Sequence, residues 1–144
     1  MQGAAASFGV ELIPLGVDSD DEIKRAVAGF ARNPNGGLIV TTGQRTSHHR
    51  ELIAGLTTQH RLPAVYLAYF FVAAGGLISY GPDRVDPYRQ AAGYVDRILK
   101  GEKPDNLPVQ AATKLELAIN LKTAKTQGIT LPPTLLARAD EVIE

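Results

Sequence analysis

Short β-branched apolar runs alternate with stretches of helical periodicity through the first half of the chain, and this alternation restricts the fold more than any other feature. An apolar run at residues 10–17 reads as the first strand. Ser19 and Glu22 then form an S-x-x-E capping box, with Asp20 and Asp21 well placed in a first helical turn. Ile23, Ala26, Val27 and Phe30 recur at helical spacing and give that helix one apolar face. Asn33-Pro34-Asn35-Gly36-Gly37 supplies breakers and turn residues. Leu38-Ile39-Val40-Thr41 is short, apolar and β-branched, as a buried parallel strand should be. A loop at residues 42–47 leads to a helix with Leu52, Ile53 and Leu56 on one side, and Ala64 to Leu67 forms the next strand behind Leu62-Pro63. β-α-β-α-β with short connections predicts an α/β fold: a doubly wound parallel sheet covered by helices.

The second half changes character. A short strand is expected in Gly75-Gly76-Leu77-Ile78-Ser79-Tyr80-Gly81, broken at Gly81-Pro82, with Phe70 and Phe71 in the loop before it. Asp86 is expected to cap a helix with Pro87 at its first position. Tyr88, Ala91, Ala92, Val95, Ile98 and Leu99 give this helix an apolar stripe, and Lys100-Gly101 closes it. A polar connector, residues 103–108, precedes a strand at Leu115 to Ile119. Asn120 then caps a helix that ends at Gly128. Pro132-Pro133 is expected to open a last helix whose Leu135, Leu136, Ala139, Val142 and Ile143 share a face.

Charge and cysteine content narrow the function. Fifteen Lys and Arg balance fifteen Asp and Glu, which excludes a nucleic-acid binder that works by bulk positive charge. With no Cys there is no disulfide framework, no thiolate metal site and no Cys nucleophile. Leu62 to Pro82 holds no charged residue, a length that could span a bilayer. Pro63, the Gly75-Gly76 interruption and the Ser79-Tyr80-Gly81-Pro82 turn favour two buried strands joined by a loop instead. At the start, Ala4-Ala5-Ala6-Ser7-Phe8 reads as the last turn of a helix, with Gly9 in the left-handed exit position and no targeting signal ahead of it. A chain that begins inside a helix reads as part of something longer.

Motifs for covalent or nucleotide chemistry are missing. There is no G-x-G-x-x-G, no G-x-x-x-x-G-K-[ST] and no G-x-S-x-G. His48 and His49 are adjacent and so diverge on a helix, and His60 has no third convergent ligand, so no metal site is expected. Asp18, Asp20 and Asp21 lack the Gly and distal Glu of a calcium loop, and helix capping accounts for them. In open parallel sheets ligands bind outside the carboxyl ends of the strands. The candidate ligand-binding residues there are Asp18, Thr41, Thr42, Gln44, Tyr69, Ser79 and Tyr80, with Tyr69 and Tyr80 offering stacking faces. Hydroxyls, an amide, the Arg45 guanidinium and aromatic rings without an acid–base pair suit holding a small polar molecule better than transforming it. No catalytic residue and no cofactor is expected.

Several ordered motifs resemble one family. Leu62-Pro63-Ala64-Val65-Tyr66, Phe70-Phe71-Val72, Gly75-Gly76-Leu77-Ile78-Ser79-Tyr80-Gly81-Pro82-Asp83 and Tyr88-Arg89-Gln90-Ala91-Ala92 are similar to the ABC transporter substrate-binding proteins of the tryptophan/aromatic type. The resemblance continues through Tyr94-Val95-Asp96-Arg97-Ile98-Leu99-Lys100-Gly101, Ile119-Asn120-Leu121-Lys122-Thr123-Ala124-Lys125 and Leu135-Leu136-Ala137-Arg138-Ala139-Asp140. Family members often carry an aromatic residue and then Arg before the Phe-Phe, where this chain has Ala68-Tyr69. If that Arg pairs with a ligand carboxylate in relatives, this chain lacks the pair and its ligand differs.

The resemblance implies a two-lobed type I periplasmic binding fold of which this chain is the C-terminal part. Residues 1–81 would be a Rossmann-like region of the second lobe, 82–104 a helix crossing to the first lobe, and 105–144 the return to the second. It implies a solute-binding component of an importer, with a small polar or amino-acid-like solute and a membrane permease as partners, in the periplasm or another extracytoplasmic space. The uncovered stripe of the crossing helix would make the isolated chain a homo-oligomer. The competing readings are a receiver-like or flavodoxin-like regulatory domain, which needs an acidic cluster or phosphate loop at the strand ends, and an isomerase on a related fold, which needs a paired acid and base.

Overall fold

The computed structural model describes residues 5, 7–111 and 114–144. Five strands form one sheet in the order β1-β2-β3-β4-β5. They are β1 (Leu38–Val40), β2 (Ala64–Tyr66), β3 (Ile78–Pro82), β4 (Leu115–Asn120) and β5 (Glu141–Ile143). β1, β2 and β3 run parallel, as their apolar, β-branched sequences predict. β4 is antiparallel to β3 and β5 is parallel to β4, so the sheet is mostly and not wholly parallel. The reversal follows from the long excursion between β3 and β4, which brings the chain back at the end of the sheet where β3 finishes.

Helix α1 (Asp20–Phe30) starts where the capping pattern placed it. The Ser19 hydroxyl accepts from the Glu22 N–H at 3.3 Å. The Glu22 carboxylate reaches one residue further back than a capping box requires and accepts from the Asp18 N–H at 2.9 Å. It passes over Gly16, where an added Cβ would lie 2.0 Å from it, so a side chain at that position would displace the cap. After β1, α2 (Gln44–His48) and α3 (Arg50–Gln59) follow as two short helices.

Ile23 and Val27 of α1, Val40 of β1, Ile53 of α3, and Ala64 and Tyr66 of β2 form the main core. The alternation in β2 is clear: Ala64 and Tyr66 are buried while Val65 between them is exposed. The Tyr66 ring stacks on Phe71 with centroids 5.0 Å apart. Its hydroxyl bonds the buried Thr57 hydroxyl at 2.9 Å, which meets the requirement that a buried polar group find a partner. Gly76 sits against this pair, because a Cβ there would fall 2.6 Å from the Tyr66 ring.

Three expectations need correction. Residues 10–17 form no strand: Pro14 has no N–H to give a ladder, and only Val17 among them packs on the core. Residues 69–73, expected as a loop, form helix α4 (Tyr69–Ala73), which carries Phe71 and Val72 into the interior. The last helix is much shorter than expected. α7 (Pro133–Leu136) stops, and the chain becomes β5 because Asp140 exchanges bonds with Leu117 of β4: its N–H donates to the Leu117 carbonyl and its carboxylate accepts the Leu117 N–H, both at 2.8 Å. Val142 and Ile143 are β-branched and fit a strand as readily as a helix face.

Elsewhere the punctuation signals hold. Asn120 caps α6 (Leu121–Gln127) by accepting from the Thr123 N–H at 2.9 Å, and Gly128 ends it in the left-handed region at φ 73°. Gly9 exits its helical turn at φ 65°, while Ala4 and Ala6 of that expected turn lie outside the described residues. Helix α5 (Asp86–Leu99) matches its expected range, with Pro87 in the first turn and Gly101 at φ 99° beyond its end. Its N-terminal acceptor is Asp83 and not Asp86 as expected: Asp83 Oδ1 takes the N–H groups of Val85 at 2.7 Å and Asp86 at 3.2 Å. Asp86 instead receives the Gln90 side-chain amide. No residue of α5 is buried, and Tyr94 ties it to the chain by donating to the Pro108 carbonyl.

Candidate functional site

A cavity of about 1030 Å³ opens at one edge of the sheet. Thr42 beyond β1, Leu67 to Phe70 beyond β2, and Pro82 to Val85 at the end of β3 form one side of it. Lys114 and Glu116 at the start of β4, Asp140 before β5, and the first turn of α5 form the other. The antiparallel β3–β4 pairing is what brings these two groups of residues together, because it places the start of β4 beside the finish of β3. Within the first group, Gly81 lets β3 lie close to the chain leaving β2: a Cβ on it would stand 1.9 Å from the Leu67 carbonyl oxygen.

Asp83 is the fixed point of the wall. It is buried, it accepts the two N–H groups that open α5, and its Oδ2 lies 2.5 Å from Lys114 Nζ. The Lys114 bond, followed by the two backbone bonds, holds its carboxyl at about 2. The same bond raises Lys114 above the ordinary lysine value. Tyr69 donates its hydroxyl to Glu141 Oε1 at 2.7 Å, and that bond raises the phenol. Glu116 is pushed up by partial burial first and then by the negative charges of Asp83, Glu141 and Asp140, with Lys114 acting against them. The Arg84 guanidinium lies over the Phe70 ring, 5.8 Å from its centroid.

The structure distributes the expected ligand residues unevenly. Thr42 and Tyr69 line the cavity. Ser79 is buried within the sheet, in register with Tyr66 and Ala118. Tyr80 is exposed and stands off the cavity wall. Asp18 and Gln44 are exposed at the start of α1 and α2, where Asp18 pairs with Arg45. Thr41 lines a separate small cavity of about 70 Å³ beside Ile23 and Ile53. His49 is mostly covered and pairs with Asp20 at 2.8 Å, while His60 closes α3. Among the described residues no group of three or more His, Asp or Glu is disposed to hold a metal ion. No helix among them is long and apolar enough to cross a membrane.

Sequence reasoning missed Asp83, Arg84, Lys114, Glu116 and Asp140. Gly81-Pro82-Asp83 marked a break whose glycine and acid both prove to shape the wall, and this was the available signal. Lys114 and Glu116 gave none, since their place depends on the direction in which β4 pairs.

A mostly parallel sheet with helices packed against it and a wide crevice at its strand ends defines a lobe of the periplasmic-binding-protein type. Solved structures agree. A conserved domain protein from Vibrio cholerae O1 biovar eltor superposes with a TM-score of 0.83 at 27% identity, covering 98% of this chain and 47% of that one. The ABC domain from Streptococcus pneumonia in complex with L-Trp gives 0.81 at 25% identity, covering 99% and 49%. The open, ligand-free substrate binding protein with adhesive properties from Clostridium difficile shares the fold, with a TM-score of 0.75 at 16% identity over 99% of this chain and 47% of that one. The family model for ABC transporter substrate binding proteins matches residues 1–143, and the chain belongs to that family. It spans about half the length of the solved relatives it matches. No curated protein matches it.

Proposed function

We propose that this chain supplies one lobe of the solute-binding component of an ABC-type importer, and that it holds a small polar or amino-acid-like molecule in a cleft facing a second lobe. The observation that carries the reading is the wide cavity at the strand ends, whose wall combines charges of both signs with aromatic faces. Such a wall grips a small molecule with a charged end and an apolar body. Among the described residues the wall has no histidine and no serine, and its Lys114 and Tyr69 are each bonded to a carboxylate, so the reading is capture without turnover. The L-Trp held by the Streptococcus relative supports the ligand class.

In this reading residues 1–81 and 105–144 belong to one lobe and 82–104 cross to the other. The joining of β4 and β5 to the sheet of β1–β3, and the lack of any buried residue in α5, support that division. Closure of two lobes over the solute would be a hinge motion. A membrane permease would receive the solute, and the protein would work outside the cytoplasm. Thr42 and Tyr69 contact the solute, Tyr69 by stacking. Titration calorimetry with common L-amino acids tests this. Tyr69→Ala should weaken binding about tenfold, close to the loss of one stacked ring. Tyr80→Ala, off the wall, should change affinity little. Equal affinity of Tyr69→Ala and the parent chain for a bound amino acid would remove the cavity from the reading.

A further inference from the structure

The charged groups of the cavity wall differ in whether they already have a partner. Asp83 is held by Lys114 and by two backbone N–H groups. Asp140 accepts from the Leu117 N–H. Glu141, beside the wall, is held by the Tyr69 hydroxyl. Glu116 lines the same cavity, is half-buried, and its carboxylate has no hydrogen bond or ion pair among the described residues. No guanidinium compensates it: Arg84 is occupied with the Phe70 ring, and Arg89 on α5 pairs with no carboxylate among the described residues.

A half-buried carboxylate without a partner is costly, and more so when other carboxylates surround it. The groups that face Glu116 are Asp83 from the end of β3, Asp140 and Glu141 from β5 and its approach, and Lys114 from its own strand. Three acids against one ammonium, already committed to Asp83, leave a local excess of negative charge. Glu116 is also one of the residues that line the cavity. Its register partner across β3–β4 is Gly81, which carries no side chain to cover it.

Building on the solute-binding reading above, we propose that Glu116 is the specificity-determining residue of the cavity, receiving the cationic nitrogen of the solute. The site then selects molecules that carry an ammonium group over otherwise identical molecules that lack it. The free guanidinium of Arg89 and the ring-held Arg84 remain on the wall for an anionic end, which fits a zwitterion. Binding needs no covalent step: a water-exposed ammonium exchanges its hydration for a charge-assisted hydrogen bond to the carboxylate.

The test is calorimetric titration of the chain with common L-amino acids, each alone, and with the des-amino acid of the tightest binder. The chain should prefer the amino acid to its des-amino analogue by about tenfold or more. Glu116→Gln keeps the shape and removes the charge, so it should abolish that preference, with circular dichroism showing the fold retained. The preference should also shrink in the parent chain as pH is lowered from neutral and the raised carboxyl gains its proton, and stay flat in Glu116→Gln. A chain that binds an amino acid with the same preference after Glu116→Gln overturns this inference and leaves the solute-binding reading standing. A chain that binds none of the amino acids overturns both.

Discussion

The cluster around Tyr66 and helix α5 carry the same kind of sequence and meet opposite fates. In the first, Ile23, Ile53, Tyr66 and Phe71 are each at most 4% exposed. In the second, a stripe of equal regularity stays uncovered, with Tyr88 at 79% and Leu99 at 81%. Periodicity states which residues would gain from cover. It does not say whether cover exists, because that depends on where the rest of the chain, or another chain, comes to lie. One region is a finished core, and the other is a surface held by its end contacts: Asp83 at the start, Tyr94 to Pro108 and Arg97 to Glu102 near the finish.

The largest test of the contrast is Phe71→Ala. It removes a fully buried ring stacked on Tyr66, and should cost about 3–5 kcal/mol in urea unfolding. A loss under about 1 kcal/mol would mean that the cluster is not the stabilising core. Gly81→Ala comes next. Its Cβ meets backbone and not a flexible side-chain tip, so β3 must move from β2 at a cost of about 1–3 kcal/mol.

Tyr66→Phe sharpens the same region at a smaller scale. It deletes the bond to Thr57, whose hydroxyl keeps the Ala54 carbonyl as acceptor, so no donor is orphaned. The expected loss is about 1 kcal/mol. On the other side, Leu99→Ser on α5 should move unfolding by no more than about 0.5 kcal/mol, since that side chain is almost fully exposed. If Leu99→Ser is strongly destabilising, or dissociates an oligomer seen by light scattering, the stripe is covered in solution and the two regions are alike.

Acid should loosen α5 before the core. Asp83 has its folded value lowered to about 2 by Lys114 and the opening N–H groups of the helix. A depressed carboxyl contributes stability that is complete above its unfolded value, about 3.9, and is lost as pH falls through the folded one. Hydrogen exchange in the first turn of α5 should therefore rise below about pH 4, and Asp83→Asn should raise it already at neutral pH and flatten the dependence. Equal acid sensitivity of both forms would remove Asp83 as the anchor of that turn.

Local chemistry wrote much of this molecule. Ser19 and Asn120 cap helices because their side-chain oxygens reach the free N–H groups of a first turn, and Gly101 and Gly128 end them because only glycine is unstrained at positive φ. The apolar, β-branched runs of β1 and β2 follow the same way, as do the faces of α1 and α3. Each signal acts within a few residues, so sequence alone determined it. Thr42 and Tyr69, a few residues beyond strand ends, line the cavity.

Tertiary structure decided the rest. Residues 10–17 look like a strand yet have no ladder, because Pro14 withholds a donor and a strand exists only when an edge accepts it. Residues 141–143 look like the end of a helix yet form β5, because Asp140 is stitched to Leu117 and offers the chain an edge to join. The cavity follows the same logic. Asp83, Lys114 and Glu116 belong to different stretches of chain, and only the antiparallel turn of β4 against β3 brings them to one wall. Strand direction is fixed by long-range pairing, which no window of local sequence contains, and so the charge pattern of the site emerged only with the fold.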